Sequence, residues 1–96
     1  MRTQELRELF EAHEDEFVEF ENVTNPRSKR PDLNAFLLLE ELIPGEGDMI
    51  SGAWDGKIRL DIDLLDLVEV ITEEQVIELI RCGVWIDEEN RLVMFA

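Results

Sequence analysis

The chain has 96 residues and a formal net charge of -15, from 24 Asp and Glu against 9 Lys and Arg. A negative potential of this size repels nucleic acid and anionic membranes, so the composition excludes both as direct partners and favours a basic protein. A hydrophobic content of 45% argues against disorder, and the length predicts one small domain over residues 1–96.

The cysteine count and the apolar runs predict the compartment. Cys82 is the single cysteine, so an intramolecular disulfide is impossible. No apolar run has the length of a signal peptide or of a membrane-spanning helix. These features predict a cytoplasmic protein that is neither secreted nor inserted in a membrane.

An acidic amphipathic helix is predicted over residues 3–22, with Thr3 as candidate N-cap. Its apolar stripe recurs at three- and four-residue steps: Leu6, Leu9, Phe10, His13, Phe17 and Phe20. Eight carboxylates occupy the other faces and are opposed there only by Arg7: Glu5, Glu8, Glu11, Glu14, Asp15, Glu16, Glu19 and Glu21. Like charges at this spacing cost about 0.2–0.5 kcal/mol per pair, so the run is either a solvated face or a ridge shaped for a basic partner.

A basic loop follows, over residues 22–30. Arg27, Lys29 and Arg30 supply a third of all Lys and Arg in the chain. They are predicted to be internal counter-charges, for Glu19, Glu21 or Asp32, rather than a local anion site. A nucleic-acid patch needs a longer basic run and a surrounding field that does not oppose it.

The most apolar predicted element is a helix from Pro31 to Ile43. After Asp32 in the first turn, only Asn34, Glu40 and Glu41 interrupt its apolar surface, so we expect cover on most sides and expect the fold to be organised around it. Proline suits the first helical turn, and the Pro-Gly pair at residues 44–45 ends the helix.

A β-hairpin is predicted next, from residues 49–54 and 57–62 on either side of Asp55-Gly56. Both turn positions tolerate positive φ, which favours a tight two-residue connection. Ile58, Leu60 and Ile62 alternate with polar residues, as expected for a strand with one core face.

The C-terminal third predicts two helices and a second hairpin. A short helix spans residues 64–70, and a capping box at Thr72 starts another that ends at Gly83. Residues 84–87 and 91–95 form a hairpin with two apolar faces, which is either buried or a surface for another chain, with burial favoured. The fold class is therefore α+β, with two to four helices packed on a small antiparallel sheet of hairpins.

Catalytic and metal-binding motifs are absent from the sequence. Zinc is disfavoured because His13 and Cys82 are single representatives of their types, and His13 is predicted to be a packed or interface residue. The one candidate cation cluster, Asp61, Asp63 and Asp66, lacks the residue order of a calcium loop. The sequence predicts no cofactor and no enzyme activity.

Three segments resemble small acidic proteins encoded by phages and other mobile elements. They are Arg30-Pro31-Asp32-Leu33, Ala35-Phe36-Leu37-Leu38-Leu39 and Leu79-Ile80-Arg81-Cys82-Gly83-Val84. The resemblance covers roughly the C-terminal two-thirds of the chain and carries no functional residue across. It implies that the protein binds and blocks a host machine.

The leading hypothesis is a non-catalytic acidic binding module or inhibitor that docks on the basic surface of a nucleic-acid-binding protein. Its sharper forms are a nucleic-acid mimic, an anti-defence protein and a nuclease immunity protein. Spaced carboxylates on a rigid helix fit a groove lined with Lys and Arg for phosphates. The predicted partner-binding residues are two acidic clusters and one tryptophan: Glu8, Glu11, Asp15, Glu19, Asp87, Glu88, Glu89 and Trp85.

Two alternatives stay open. A structural or assembly subunit would use the apolar C-terminal hairpin, with Trp85, Phe95 and Trp54. A divalent-metal enzyme would need a cation on the aspartate cluster described above. The oligomeric state, monomer or homodimer, is equally open.

Overall fold

The computed structural model describes residues 1–95 and confirms an α+β fold. The helices are α1 (Thr3–Ala12), α2 (Pro31–Leu42), α3 (Leu64–Leu67) and α4 (Glu73–Arg81), with two single-turn 3-10 helices after α1, Glu14–Glu16 and Phe20–Asn22. The strands are β1 (Ile50–Trp54), β2 (Lys57–Leu60), β3 (Val84–Ile86) and β4 (Leu92–Phe95). Within residues 1–95, no helix has both the length and the apolar character needed to cross a bilayer.

The sheet consists of the two predicted hairpins, joined side by side in the antiparallel order β1-β2-β4-β3. Ile58 of β2 lies opposite Met94 of β4, which lies opposite Val84 of β3, and these three side chains pack in the core beneath the helices. Because side chains alternate along a strand, Trp85 and Val93 point to the opposite face. That outer face lies next to the site described below.

The turn of the first hairpin has the predicted geometry. Trp54 pairs with Lys57 across it, and Asp55 and Gly56 take φ values of 47° and 74°. Positive φ at both central residues is the type I′ pattern, whose twist matches that of the flanking strands.

Helix α4 lies at the centre of the fold, in contact with α1, α2, β3 and both 3-10 helices. The predicted capping box is present: Thr72 Oγ1 accepts the Gln75 N–H at 3.2 Å, and Gln75 Oε1 accepts the Thr72 N–H at 2.9 Å. Gly83, with φ of 91°, ends the helix as predicted. The expectation that residues 31–43 organise the fold is wrong, because α4 provides the surface on which the other elements meet.

The first helix is shorter than predicted and ends at Ala12 rather than at residue 22. Carboxylates near a helix C-terminus oppose its dipole, and three consecutive acids follow at residues 14–16. The break also places Glu16 Oε2 at 2.7 Å from Arg81 Nε and lets the Val18 N–H donate to the Ile80 carbonyl at 3.1 Å. Thr3 is the first helical residue, and Arg2 is the N-cap.

Helix α2 buries one of its polar residues and exposes two of its leucines. Asn34 is fully buried, whereas Leu33 and Leu37 are exposed, so the apolar helix is covered on fewer sides than predicted. Asn34 Oδ1 accepts the N–H groups of Arg27 at 2.6 Å and Ser28 at 3.3 Å. Its Nδ2 donates to Glu78 Oε2 at 2.8 Å. The buried amide thus accepts hydrogen bonds from the loop before α2 and donates one to α4. Because its polar atoms are paired in this way, the asparagine can be buried in the core at little cost.

Candidate functional site

An open cavity of about 610 Å³ lies between the 3-10 segment after α1 and the end of the sheet. Six of its lining residues are apolar and two are acidic: Phe10, Phe17, Ile80, Val84, Trp85, Phe95, Glu14 and Asp15. We refer to it as the aromatic cavity. It exists because the chain leaves the helical path at residue 13 and carries Phe17 across to the sheet.

Three aromatic rings form one wall of the aromatic cavity. The Phe17 centroid is 5.6 Å from those of Trp85 and Phe95, with edge-to-face geometry in both pairs, and Trp85 and Phe95 are 5.0 Å apart. Such pairs contribute about 0.5–1.5 kcal/mol beyond their buried area. Phe95 nevertheless remains 54% exposed, so this wall offers apolar surface to a partner.

A second concavity shares Trp85 and has mixed charge. We refer to it as the tryptophan groove, lined by Arg7, Trp54, Lys57, Trp85, Ile86, Asp87, Glu88, Glu89 and Arg91. The Arg91 guanidinium stacks 4.7 Å from the Trp54 ring centroid and pairs with Asp87 at 2.8 Å. Burial would raise the pKa of Asp87, but the Arg91 N–H and guanidinium and the Glu89 N–H outweigh it and lower that pKa.

Arg7 joins the two acidic clusters that the sequence predicts. Its Nε donates to Asn90 Oδ1 at 3.0 Å, and its Nη2 donates to the carbonyl of Asp87, 80 residues away in the chain. Its Nη1 also lies 4.0 Å from Glu11 Oε1. The β3–β4 loop is therefore held against α1, and Arg7 lies between Glu11 of α1 and Asp87 of the loop.

The predicted acidic residues differ in how strongly they are neutralised. Glu11 faces Arg7, and Arg91 pairs with Asp87 and, at 3.6 Å, with Glu89. These three carboxylates offer less charge to a partner than the sequence suggests. The remaining acidic candidates take no part in the ion pairs of residues 1–95: Glu8, Asp15, Glu19 and Glu88.

The four acidic candidates without an ion pair lie at different places. Asp15 is exposed at the rim of the aromatic cavity, and Glu88 is exposed in the tryptophan groove. Glu8 is exposed on α1 and accepts a bond from Gln4 Nε2 at 3.3 Å. A hydrogen bond with the Glu21 carboxyl and the repulsion between the two neighbouring carboxylates raise the pKa of Glu19.

The basic loop acts as an internal counter-charge through Arg27, but with different partners from those predicted. Arg27 Nε lies 2.8 Å from Glu41 and its Nη1 lies 3.1 Å from Glu78. The hydrogen bond from Arg27 lowers the pKa of Glu41. Helices α2 and α4 lie beside the loop, so the predicted partners are wrong for Arg27: Glu19, Glu21 and Asp32. Lys29 and Arg30 take no part in the ion pairs of residues 1–95.

The single histidine and cysteine are placed as structural residues. His13 caps the end of α1, and its Nε2 is 2.9 Å from Glu73 Oε2. Burial raises the pKa of Cys82 to about 11, so its thiol is protonated at neutral pH and is a poor nucleophile.

In the candidate cation cluster, Asp63 caps a helix: its Oδ1 accepts the Leu65 N–H of α3 at 2.9 Å. Within residues 1–95, no group of three His, Cys, Asp or Glu side chains is placed to hold a metal ion.

Three residues that give the site its shape do not stand out in the sequence. The helical period predicts Phe17 on the apolar stripe of a continuous helix and Glu14 on one of its polar faces. Arg7 is the one cation within that acidic stretch, and the pattern gives no sign of its contact with the β3–β4 loop. The run of acids at residues 14–16 is the one sequence signal for the break in the helix, because adjacent like charges disfavour helix continuation. A helix that ends before this run no longer places Phe17 on the predicted stripe.

Comparison with protein-family models, curated proteins and solved structures finds no match to this chain.

Proposed function

We propose that this chain is a non-catalytic acidic binding module that docks on a basic protein surface, in particular one that binds nucleic acid. In its sharpest form it is a nucleic-acid mimic that blocks such a surface, as an anti-defence protein or a nuclease immunity protein does. It acts in the cytoplasm, where these targets occur. The acidic side of α1 and the β3–β4 loop provides the contact.

One observation supports this proposal above the others: Arg7 holds the β3–β4 loop against α1, which brings the loop acids near Glu11 although they are distant in sequence. A protein surface that binds phosphates presents Lys and Arg over an extended area, and it is best met by carboxylates from several elements. The net charge of -15 adds long-range attraction that speeds the encounter.

Capture from a lysate of the native host tests the proposal. The immobilised chain is washed at about 0.1 M and about 1 M salt, over which the screening length falls from about 10 Å to about 3 Å. The bound proteins are identified by mass spectrometry. We expect a basic protein to be retained at low salt and released at high salt.

Two quadruple variants separate a specific surface from overall charge, since each removes four negative charges. The site variant changes Glu8, Glu11, Asp15 and Glu88 to Gln or Asn. The control changes exposed acids around a different concavity in the same way: Glu40, Glu46, Asp48 and Asp61. The site variant should lose the basic protein and the control should retain it. Equal retention by both variants, or retention that ignores salt, contradicts the proposal.

A structural or assembly subunit is a second candidate, favoured by the 54% exposure of Phe95 within the aromatic cluster. Such a subunit would self-associate through the C-terminal hairpin. Multi-angle light scattering of the purified chain, compared with Phe95→Ser, checks this reading. A monomer at all concentrations removes it.

A further inference from the structure

We infer that the aromatic cavity receives an apolar side chain of the partner, and that this side chain is flanked by Lys or Arg in the partner's sequence. The inference rests on the proposed function and adds a recognition element to it. Charge alone attracts any basic surface, whereas an apolar anchor in a cavity selects among them.

The cavity has the layout of a protein interface, with an apolar centre and a charged rim. Phe17, Trp85 and Phe95 form a continuous aromatic wall, and Ile80 and Val84 lie in the same lining. At about 610 Å³ the cavity has ample room for one large side chain. Aromatic residues in such places are the usual anchors of protein–protein binding.

The acidic rim of the cavity favours basic residues next to the apolar side chain of the partner. Glu14 and Asp15 are both exposed, and no basic side chain is among the described residues that line the cavity. A cation beside the anchor would therefore meet a carboxylate on entry. This charge complementarity also disfavours a second copy of the chain as occupant, because each copy has a net charge of -15 and would present the same acidic rim.

Val18, next to Phe17, extends the apolar surface in an unusual conformation. It is 57% exposed, and its φ of 57° is one that β-branched residues rarely adopt. A Cβ added to Gly83, the residue before Val84 of the cavity lining, would lie 3.6 Å from Val18 Cγ1, so the valine packs beside the end of α4. Glycine or asparagine suits this backbone better, so the exposed valine favours a contact role for the apolar surface beside the aromatic cavity.

A random peptide library displayed against the immobilised chain tests the inference. Peptides kept by the wild-type chain but lost by Phe95→Ser are sequenced. We expect them to share a large apolar residue with Lys or Arg within three positions. Leu65→Ser is the matched control, because Leu65 is 67% exposed on α3 and does not line the cavity. One selected peptide is then synthesised, together with a sibling in which Ser replaces the apolar residue.

Binding of the two peptides is measured by fluorescence anisotropy. The parent should bind the wild-type chain and Leu65→Ser with equal affinity and bind Phe95→Ser at least about tenfold more weakly, as expected for loss of a buried apolar contact. The sibling should bind all three proteins equally weakly. Glu14→Gln with Asp15→Asn should weaken the parent and reduce its salt dependence, whereas Asp48→Asn with Asp61→Asn should not.

The outcomes separate this inference from the proposed function. Equal, salt-sensitive binding of parent and sibling overturns the anchor cavity and leaves docking on a basic surface intact. Selected peptides without Lys or Arg overturn the stated chemistry of the occupant. A homodimer that Phe95→Ser dissociates overturns the assignment of the cavity to a partner. If no basic peptide binds even at low salt, the inference and the proposed function both fail.

Discussion

Buried Asn34 permits a sharp test of how the fold is held together. Replacing it by Asp keeps the oxygen that accepts the Arg27 N–H at 2.6 Å. The other half of the side chain changes from an N–H donor to a second oxygen, which then faces Glu78 Oε2 across 2.8 Å. Two carboxylates at this distance inside a protein do not both ionise, so the folded Asn34→Asp variant must hold one extra proton.

The cost of that proton follows from linkage. Keeping a carboxylic acid protonated costs about 1.4 kcal/mol for each pH unit above its ordinary pKa near 4, so the penalty is about 4 kcal/mol at pH 7 and about 1.4 kcal/mol at pH 5. The folded variant binds more protons than its unfolded chain, so its stability relative to wild type falls as pH rises. For a domain of this size, about 4 kcal/mol corresponds to a fall in Tm of roughly 15–30 °C.

Urea unfolding followed by tryptophan fluorescence at pH 5 and pH 7 measures this difference. Asn25→Asp adds the same charge at an exposed site and should show no such pH dependence. Combining Asn34→Asp with Glu78→Gln exchanges the amide and the carboxyl group across the contact, and it should recover at least half of the lost stability. An equal penalty at both pH values, or no recovery in the double variant, would refute the reasoning.

Three further predictions concern individual residues. Val18→Gly should raise the free energy of unfolding in urea titrations by about 0.5–1 kcal/mol. It removes left-handed backbone strain of about 1–2 kcal/mol, and the larger entropy of glycine in the unfolded chain offsets part of that gain. The Arg81 hydrogen bond lowers the pKa of Glu16, so the Glu16 carboxylate stabilises the fold at neutral pH. Glu16→Gln should therefore lower Tm at pH 7, and the difference from wild type should shrink as pH falls through the lowered pKa, as measured in melts at pH 7 and pH 3. Cys82, buried and with a pKa raised to about 11, should react with a disulfide reagent only on unfolding, with a rate that rises with urea.

Local sequence signals determined the elements of this fold wherever a few neighbouring residues specify a backbone conformation. Asp55-Gly56 predicts the hairpin turn because both positions accept positive φ, and the structure has it there. The capping box at Thr72 and the left-handed end at Gly83 locate α4 within a residue. Alternation from Ile58 to Leu60 predicts the core face of β2. Each of these signals acts over four residues or fewer, so no distant contact is needed to read it.

Tertiary contacts decided the course of the chain where it departs from its local pattern. The apolar stripe through Phe17 continues a helical period, yet Arg81 and the aromatic residues of the last hairpin draw residues 14–17 out of the helix. Asn34 lies within an apolar helix, and only the approach of the basic loop and α4 makes its burial favourable.

In the candidate site, too, the sequence determines the types of residue and the folded chain determines which of them are neighbours. Composition determined that the surface is acidic, and the sequence singled out carboxylates from both ends of the chain. The approach of the β3–β4 loop to α1 depends on Arg7, and the aromatic cavity depends on the break after Ala12. Charge and periodicity are properties of residue types along the chain, whereas a cavity or an ion pair is a relation between residues that only the folded chain brings together.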